Sequence, residues 1–116
     1  MKQSGQSLLI LIVEDINWIR SGMRKAVERE GYRVAEARDA AETLAFAEQQ
    51  SVDLILTEEQ LPNFADLMVL LSTHSTSSSI PIVIINPDSE EGARHGDAYL
   101  LPAYSDIASL LAVLHR

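Results

Sequence analysis

The sequence predicts an α/β domain with a doubly wound parallel sheet and helices on both faces. Two observations support this fold class: five short apolar runs recur along the 116 residues, and helical patterns separate them. The runs are residues 8–13, 32–37, 52–57, 80–85 and 98–101. Regular strand–helix alternation with nearly continuous apolar strands is typical of parallel sheets that are covered on both sides.

The first half of the chain gives the clearest elements. Residues 8–13, "LLILIV", predict a strand buried on both faces, whereas "YRVAEA" at 32–37 alternates and predicts a strand nearer an edge. A helix between them is predicted from one apolar face, and Gly31 marks its end. The members of that face are Ile16, Ile19, Met23, Ala26 and Val27. Asp39 followed by Glu42 resembles a capping box at the start of the second helix.

The second half is less regular. Leu67, Leu70 and Leu71 have helical spacing, and the polar stretch 72–79, "STHSTSSS", is predicted to connect the third helix to the fourth strand. A C-terminal helix is predicted from an i, i+3, i+4, i+7 stripe. This stripe contains Ile107, Leu110, Leu111 and Leu114. Residues 86–96, "NPDSEEGARHG", leave room for a fourth helix of only about two turns, with Asp88, Glu90 and Glu91 in its first turn.

Composition limits the function classes. The net charge of −8 argues against nucleic-acid binding, which needs a basic surface, although six of nine basic residues lie between Arg20 and Arg38. The absence of cysteine excludes disulfides and thiolate metal sites. No run is long enough to cross a membrane, so we expect a cytoplasmic protein. We divide it into a flexible leader, 1–7, and a single domain, 8–116.

Acidic residues follow two of the predicted strands. Glu14 and Asp15 come after the first strand, and Glu58 and Glu59 come at the end of the third. Ligands of such sheets bind beyond the carboxyl ends of the strands. The first loop lacks a glycine-rich phosphate cradle, which disfavours a nucleotide or flavin site. Clustered carboxylates instead suggest a hard cation such as Mg²⁺.

Five blocks in the same order resemble a response-regulator receiver domain. They are "LLILIVEDINWIR", "GYRVAEARDAAETL", "DLILTEEQLP", "IPIVII" and "GDAYLLP". The resemblance implies a flavodoxin-like (CheY-like) fold with a five-stranded parallel sheet and, in this chain, a shortened fourth helix. It also implies an ancestral activity, in which an aspartate accepts a phosphoryl group from a histidine kinase with the help of Mg²⁺, a lysine and a hydroxyl.

The reactive positions that the resemblance implies are partly altered. Glu14 and Asp15 keep the acidic pair, but Glu58 stands at the phosphoacceptor position, which holds aspartate in the family. Asn86 stands at the hydroxyl position, and Leu101 replaces the lysine. The extra methylene of Glu58 pushes its carboxylate into the space of the phosphoryl group, and a misplacement of about 1 Å can cost about 100-fold in rate.

These substitutions predict a pseudo-receiver: a two-component signalling module that is not phosphorylated, is not an enzyme and acts by protein–protein contact. The only lysines are Lys2 and Lys25, and Arg94 is the nearest basic residue to the fifth strand. Tyr99 matches the aromatic switch of receivers, but its hydroxyl partner is missing. The predicted partner is a histidine kinase, a phosphotransfer domain or an output domain, and a homodimer is left open.

Several alternatives stay open at this point. The chain is alternatively a metal-dependent phosphoacceptor, or a small hydrolase, with an atypical acidic site. No cofactor is required, but Glu14, Asp15 and Glu58 are candidates for weak Mg²⁺ binding. Glu58 either imitates a phosphorylated aspartate or is a tolerated surface acid, and Glu59 is expected to point away from the site. Trp18 marks a binding surface or packs locally.

Overall fold

The computed structural model describes residues 8–74, 77–90, 94–96, 98–103 and 107. Strands and helices alternate along that part of the chain. The strands are β1 Leu9–Val13, β2 Arg33–Ala37, β3 Leu54–Glu58, β4 Ile82–Ile85, β5 Arg94–His95 and β6 Ala98–Leu101. The helices are α1 Asn17–Glu28, α2 Ala40–Gln49 and α3 Phe64–Thr73.

The strands form one sheet in the order β2-β1-β3-β4-β6-β5. Five of them run parallel, as the sequence predicts, and β2 lies at an edge. The short β5 is antiparallel to β6 at the opposite edge. Glu58 pairs with Ile85, and Ile85 pairs with Leu101, so these three residues lie at one level near the carboxyl ends of their strands.

Apolar side chains form one core on each face of the sheet, which explains the continuous apolar strands. The α1 side includes Ile10, Ile12, Leu54, Leu56, Val83, Ile85 and Leu101 from the strands, with Met23, Val27 and Ile107 from helical segments. The α2 and α3 side includes Leu11, Val13, Ala37, Ile55, Leu67 and Leu71. Side chains of successive strand residues point to opposite faces, so each strand contributes to both cores.

The predicted start of the second helix is confirmed. The Asp39 side chain accepts a hydrogen bond from the Glu42 backbone N–H at 2.9 Å, and thus caps α2. The Glu42 carboxylate reaches back to the Arg38 backbone N–H at 2.8 Å, one residue before the cap. The first helix ends as predicted near Gly31, which has a φ of +90° that suits glycine.

The fourth helix is the part of the fold prediction that needs correction. Among the described residues between β4 and β6 there is a turn followed by the strand β5, and no helix. The Asn86 side chain accepts a hydrogen bond from the Asp88 N–H at 2.9 Å, and the Asn86 carbonyl accepts one from the Ser89 N–H at 3.0 Å. These contacts form a local turn that competes with a helix start.

The chain then returns as a hairpin, in which Arg94 pairs with Tyr99 and His95 pairs with Ala98. Gly96 in the connecting turn has a φ of +60°, which glycine adopts without strain. Among the described residues of this segment, the edge strand β5 is present where the prediction placed a short helix. Of the acids predicted in the first helical turn, Glu91 lies outside the described residues, whereas Asp88 and Glu90 are exposed outside any helix.

Other predictions fall partly or wholly outside the described residues. The leader 1–7 lies outside them, so the division into leader and domain stays a prediction. Of the C-terminal stripe only Ile107 is described; it is helical and 1% exposed. Within the part of the chain that the structure describes, no helix is both long enough and apolar enough to cross a membrane.

Candidate functional site

The carboxyl ends of β1 and β3 bring Glu14 and Glu58 together. Glu14 follows β1 directly and has no exposed surface. Its backbone N–H donates to the Ala37 carbonyl at 3.0 Å, which extends the β1–β2 ladder and holds the residue in place. On the other side, the Thr57 hydroxyl donates to the Val13 carbonyl at 3.0 Å and fixes β3 against β1. The sheet therefore holds both carboxyl groups at adjacent strand ends.

The Glu14 carboxyl group is only half satisfied. Its Oε2 accepts a hydrogen bond from the Ile16 backbone N–H at 2.9 Å, whereas its Oε1 is buried without a partner. Burial and the neighbouring carboxyl groups of Glu58 and Asp15 raise the pKa of Glu14 to about 8, while the Ile16 N–H opposes them. Near neutral pH, this raised pKa favours the protonated form of Glu14.

The two remaining predicted acids differ in exposure. Asp15 is exposed beside the pocket, and Glu58 is partly exposed at the end of β3. Leu54 and Leu56 of the same strand pack on the α1 side, so alternation directs Glu58 to that side as well. Glu14 follows Ile12 at the same two-residue spacing, so both carboxyl groups lie on the α1 side, and Glu58 is the more exposed of the two.

Asn86 and Glu59 form a contact that the sequence analysis missed. The Asn86 Nδ2 donates to the Glu59 Oε2 at 2.6 Å, and links the loops that follow β3 and β4. The Asn86 Oδ1 is already occupied by the Asp88 N–H. The Asn86 amide therefore serves loop structure. Both residues directly follow strands that are neighbours in the sheet, β3 and β4, and the apolar pattern of the sequence does not specify that adjacency.

Leu101 and Tyr99 occupy apolar surroundings on the α1 side. Leu101 is 8% exposed and belongs to the core, so its position at the strand end carries no charge. Tyr99 packs against the same core and lies under the Arg94 guanidinium, whose Cζ is 4.2 Å from the ring centre. Arg94 thus stacks on Tyr99 from the added strand β5, an arrangement that stabilises the ring by a cation–π interaction.

No basic side chain among the described residues forms an ion pair with the Glu14 or Glu58 carboxyl group. Arg20 does contact Glu14, but its guanidinium donates to the Glu14 backbone carbonyl at 2.8 Å and not to the carboxyl group. Its other donors contact Glu36 at 2.6 Å and Asn17 at 2.6 Å. The basic face predicted between Arg20 and Arg38 is thus partly neutralised by its own acids.

The residues as arranged do not fit a magnesium site. Among the described residues no group of three or more histidine or acidic side chains is placed to hold a metal ion. Mg²⁺ needs octahedral oxygen coordination, whereas one of the two Glu14 carboxyl oxygens already accepts the hydrogen bond from the Ile16 N–H.

Comparison with known proteins identifies the family. Residues 10–97 match the family model of the response regulator receiver domain. The CAI-1 autoinducer sensor kinase/phosphatase CqsS of Vibrio cholerae is 30% identical over 86 residues, which are 72% of this chain. The aligned region is only 12% of CqsS, so this chain spans a small part of that relative.

Solved structures show the same fold. Chemotaxis protein CheY4 of Vibrio cholerae aligns with a TM-score of 0.75 at 23% identity, over 95% of this chain and 98% of that one. The receiver domain of sensor histidine kinase PA1611 of Pseudomonas aeruginosa, which has magnesium in its active site cleft, aligns with a TM-score of 0.75 at 20% identity, over 92% and 96% of the two chains. Together with the five parallel strands and the acidic strand ends, these matches establish that the chain belongs to the receiver domain family of two-component signalling.

Proposed function

We propose that this receiver domain is not phosphorylated and acts in a two-component system by contact with another protein. The observation that carries the proposal is the composition of the pocket. Glu58 lies beside the buried Glu14, whose pKa is raised to about 8, and Leu101 places an apolar side chain where the resemblance implies a lysine. A phosphoryl group brings negative charge, which such a pocket stabilises poorly.

Loss of each electrostatic contact costs about 2.7–4 kcal/mol of transition-state stabilisation in comparable sites. Three positions are altered together, namely Glu58, Asn86 and Leu101. The side-chain amide of Asn86 is also already hydrogen-bonded to Glu59 and to the Asp88 N–H. The combined loss supports a module without useful phosphotransfer and without enzymatic activity.

The proposed partner is a histidine kinase, a phosphotransfer domain or an output domain, and the proposed location is the cytoplasm. A homodimer is also left open, and a measurement of the molecular mass in solution tests it. No cofactor is required. Weak Mg²⁺ binding at Glu14, Asp15 and Glu58 stays a prediction, and it requires the Glu58 side chain to turn away from Glu14.

The test is incubation with MgCl₂ and either acetyl phosphate or beryllofluoride. We expect no mass adduct and no change in the fluorescence of Trp18, the only tryptophan of the chain. A receiver with aspartate, hydroxyl and lysine in place serves as the positive control. A stable adduct that disappears in Glu58→Ala would contradict the proposal and favour the alternative of a phosphoacceptor with an atypical acidic site.

A further inference from the structure

The surface around the acidic pocket combines an unsatisfied buried acceptor with exposed apolar groups. The Glu14 Oε1 is buried and has no hydrogen-bond partner. Next to it along the chain, Ile16 is 42% exposed and Trp18 is 77% exposed. A tryptophan with this exposure leaves most of its apolar area in water, a feature that is common where another protein binds.

We infer that this surface receives a lysine side chain from a partner protein, with its ammonium group between Glu14 and Glu58 and its alkyl stem along Ile16 and Trp18. This inference rests on the proposed function, because it assigns the chemistry of the protein contact. Lysine suits the pocket because its long apolar stem ends in a compact cation with three donors. Arginine, with its planar fork, is less suited to a narrow space between two strand ends.

Charge complementarity favours a lysine over the other possible cation, a divalent metal. Two converging carboxyl groups satisfy an ammonium ion, whereas no group of three potential ligands is placed for a metal among the described residues. The described cations near the pocket are already engaged, since Arg20 bonds Glu36, Asn17 and the Glu14 backbone. A cation for the two carboxyl groups must therefore come from outside these residues.

Entry of the lysine requires one local movement. Glu14 has no exposed surface, so the partly exposed Glu58 side chain must move aside for the ammonium to reach it. As the ammonium enters, the Glu14 carboxyl releases its proton to water, and the ammonium donates one charge-assisted hydrogen bond to each carboxylate. The backbone at this strand end stays fixed by the Thr57 hydroxyl bond to Val13.

The test uses two capped pentapeptides of sequence Ala-Leu-Xaa-Leu-Ala, with Xaa either lysine or norleucine, at pH 7.5 and fixed ionic strength. Binding is read from the NMR resonances of the glutamate carboxyl carbons and of the Trp18 indole. We expect the lysine peptide to shift the resonances of Glu14, Glu58 and Trp18 in a saturable way, and the norleucine peptide to leave the carboxyl carbons unchanged. In Glu58→Gln the lysine peptide should bind about tenfold more weakly, since one charge-assisted bond is lost.

Glu48→Gln is the matched control variant, because Glu48 is exposed near the end of α2, on the face of the sheet opposite to the acidic residues. It should bind the lysine peptide like the unmodified chain. Equal shifts with both peptides, equal affinity in Glu58→Gln, or saturation of the carboxyl resonances by MgCl₂ but not by the lysine peptide would overturn the inference. These outcomes are independent of the acetyl phosphate test, in which an adduct would contradict the proposed function instead.

Discussion

Glu14 directly follows β1, and Glu36 lies on the neighbouring strand β2. The charged groups around the two carboxyl groups are nevertheless of opposite sign. Glu36 is paired with the guanidinium groups of Arg20 and Arg24, which lower its pKa. Glu14 is buried with other carboxyl groups, and its pKa is raised to about 8. Arg20 contacts both residues, but it reaches Glu14 only through the backbone carbonyl. The placement of cations, not the number of acids, thus separates a charged surface cluster from a protonated pocket.

The largest expected effect comes from Glu14→Gln, which removes the titration of the pocket. A raised pKa means that the folded state binds a proton more tightly than the unfolded state. The stability that this proton contributes is therefore fully present below the ordinary glutamate pKa of 4.5 and falls as the pH rises towards about 8. The slope is at most about 1.4 kcal/mol per pH unit. Urea unfolding between pH 5 and pH 8.5 should show this decline in the unmodified chain and a much flatter profile in Glu14→Gln.

Glu48→Gln serves as the control, since the exposed Glu48 lies outside the pocket. It should keep the decline of the unmodified chain. If Glu14→Gln declines as steeply as the control, the titrating group is not Glu14, and the contrast with Glu36 disappears.

The contrast also shows which features local sequence reveals. The strands of the parallel sheet were predictable because the apolar runs are nearly continuous or, in β2, alternate, and the α2 cap was predictable because Asp39 and Glu42 are three residues apart. The raised pKa of Glu14 depends in part on Glu58, which lies far along the chain on another strand. Likewise the Asn86–Glu59 bond spans 27 residues. Such long-range pairs are set by strand register, which apolar patterns alone do not specify.

The hairpin that replaces the fourth helix illustrates a second limit. The family resemblance predicts a helix in this segment, and its acidic residues fit a helix start. The Asn86 turn and the antiparallel pairing of Arg94 with Tyr99 prevail over that preference. Counting residues correctly indicated a short segment, but a two-residue strand carries too little pattern to be recognised.

An intermediate effect is expected when a cation is supplied to the pocket by Leu101→Lys. Leu101 lies level with Glu58 across β4, and both side chains face the α1 side, so a lysine stem can reach towards Glu58. Hydrogen bonds to charged groups contribute about 1.5–3 kcal/mol. We expect Leu101→Lys to reduce the loss of stability between pH 5 and pH 8, measured by urea unfolding.

Leu101→Met is the matched variant, since it also replaces the branched side chain but adds no charge. Both variants lose core packing, and only the lysine variant should lose less stability between pH 5 and pH 8 than the unmodified chain. An identical pH dependence in the two variants would show that position 101 does not reach the pocket.

The smallest effect is expected for Glu36→Gln, which removes the carboxylate that is paired with Arg20 and Arg24. Exposed ion pairs contribute about 0.2–1 kcal/mol each, and the lowered pKa of Glu36 means that its contribution exists at neutral pH and is lost as the pH falls below about 4.5. The variant should therefore be slightly less stable at pH 7, in low salt, and should match the unmodified chain in 1 M NaCl, where surface charges are screened.

Glu28→Gln is the control, since it removes only the i,i+4 pair with Arg24, and it should lower the stability less than Glu36→Gln does. A larger loss in Glu28→Gln than in Glu36→Gln would mean that Arg24 is held mainly by its own helix, and Glu36 would then not be the counterpart of Glu14.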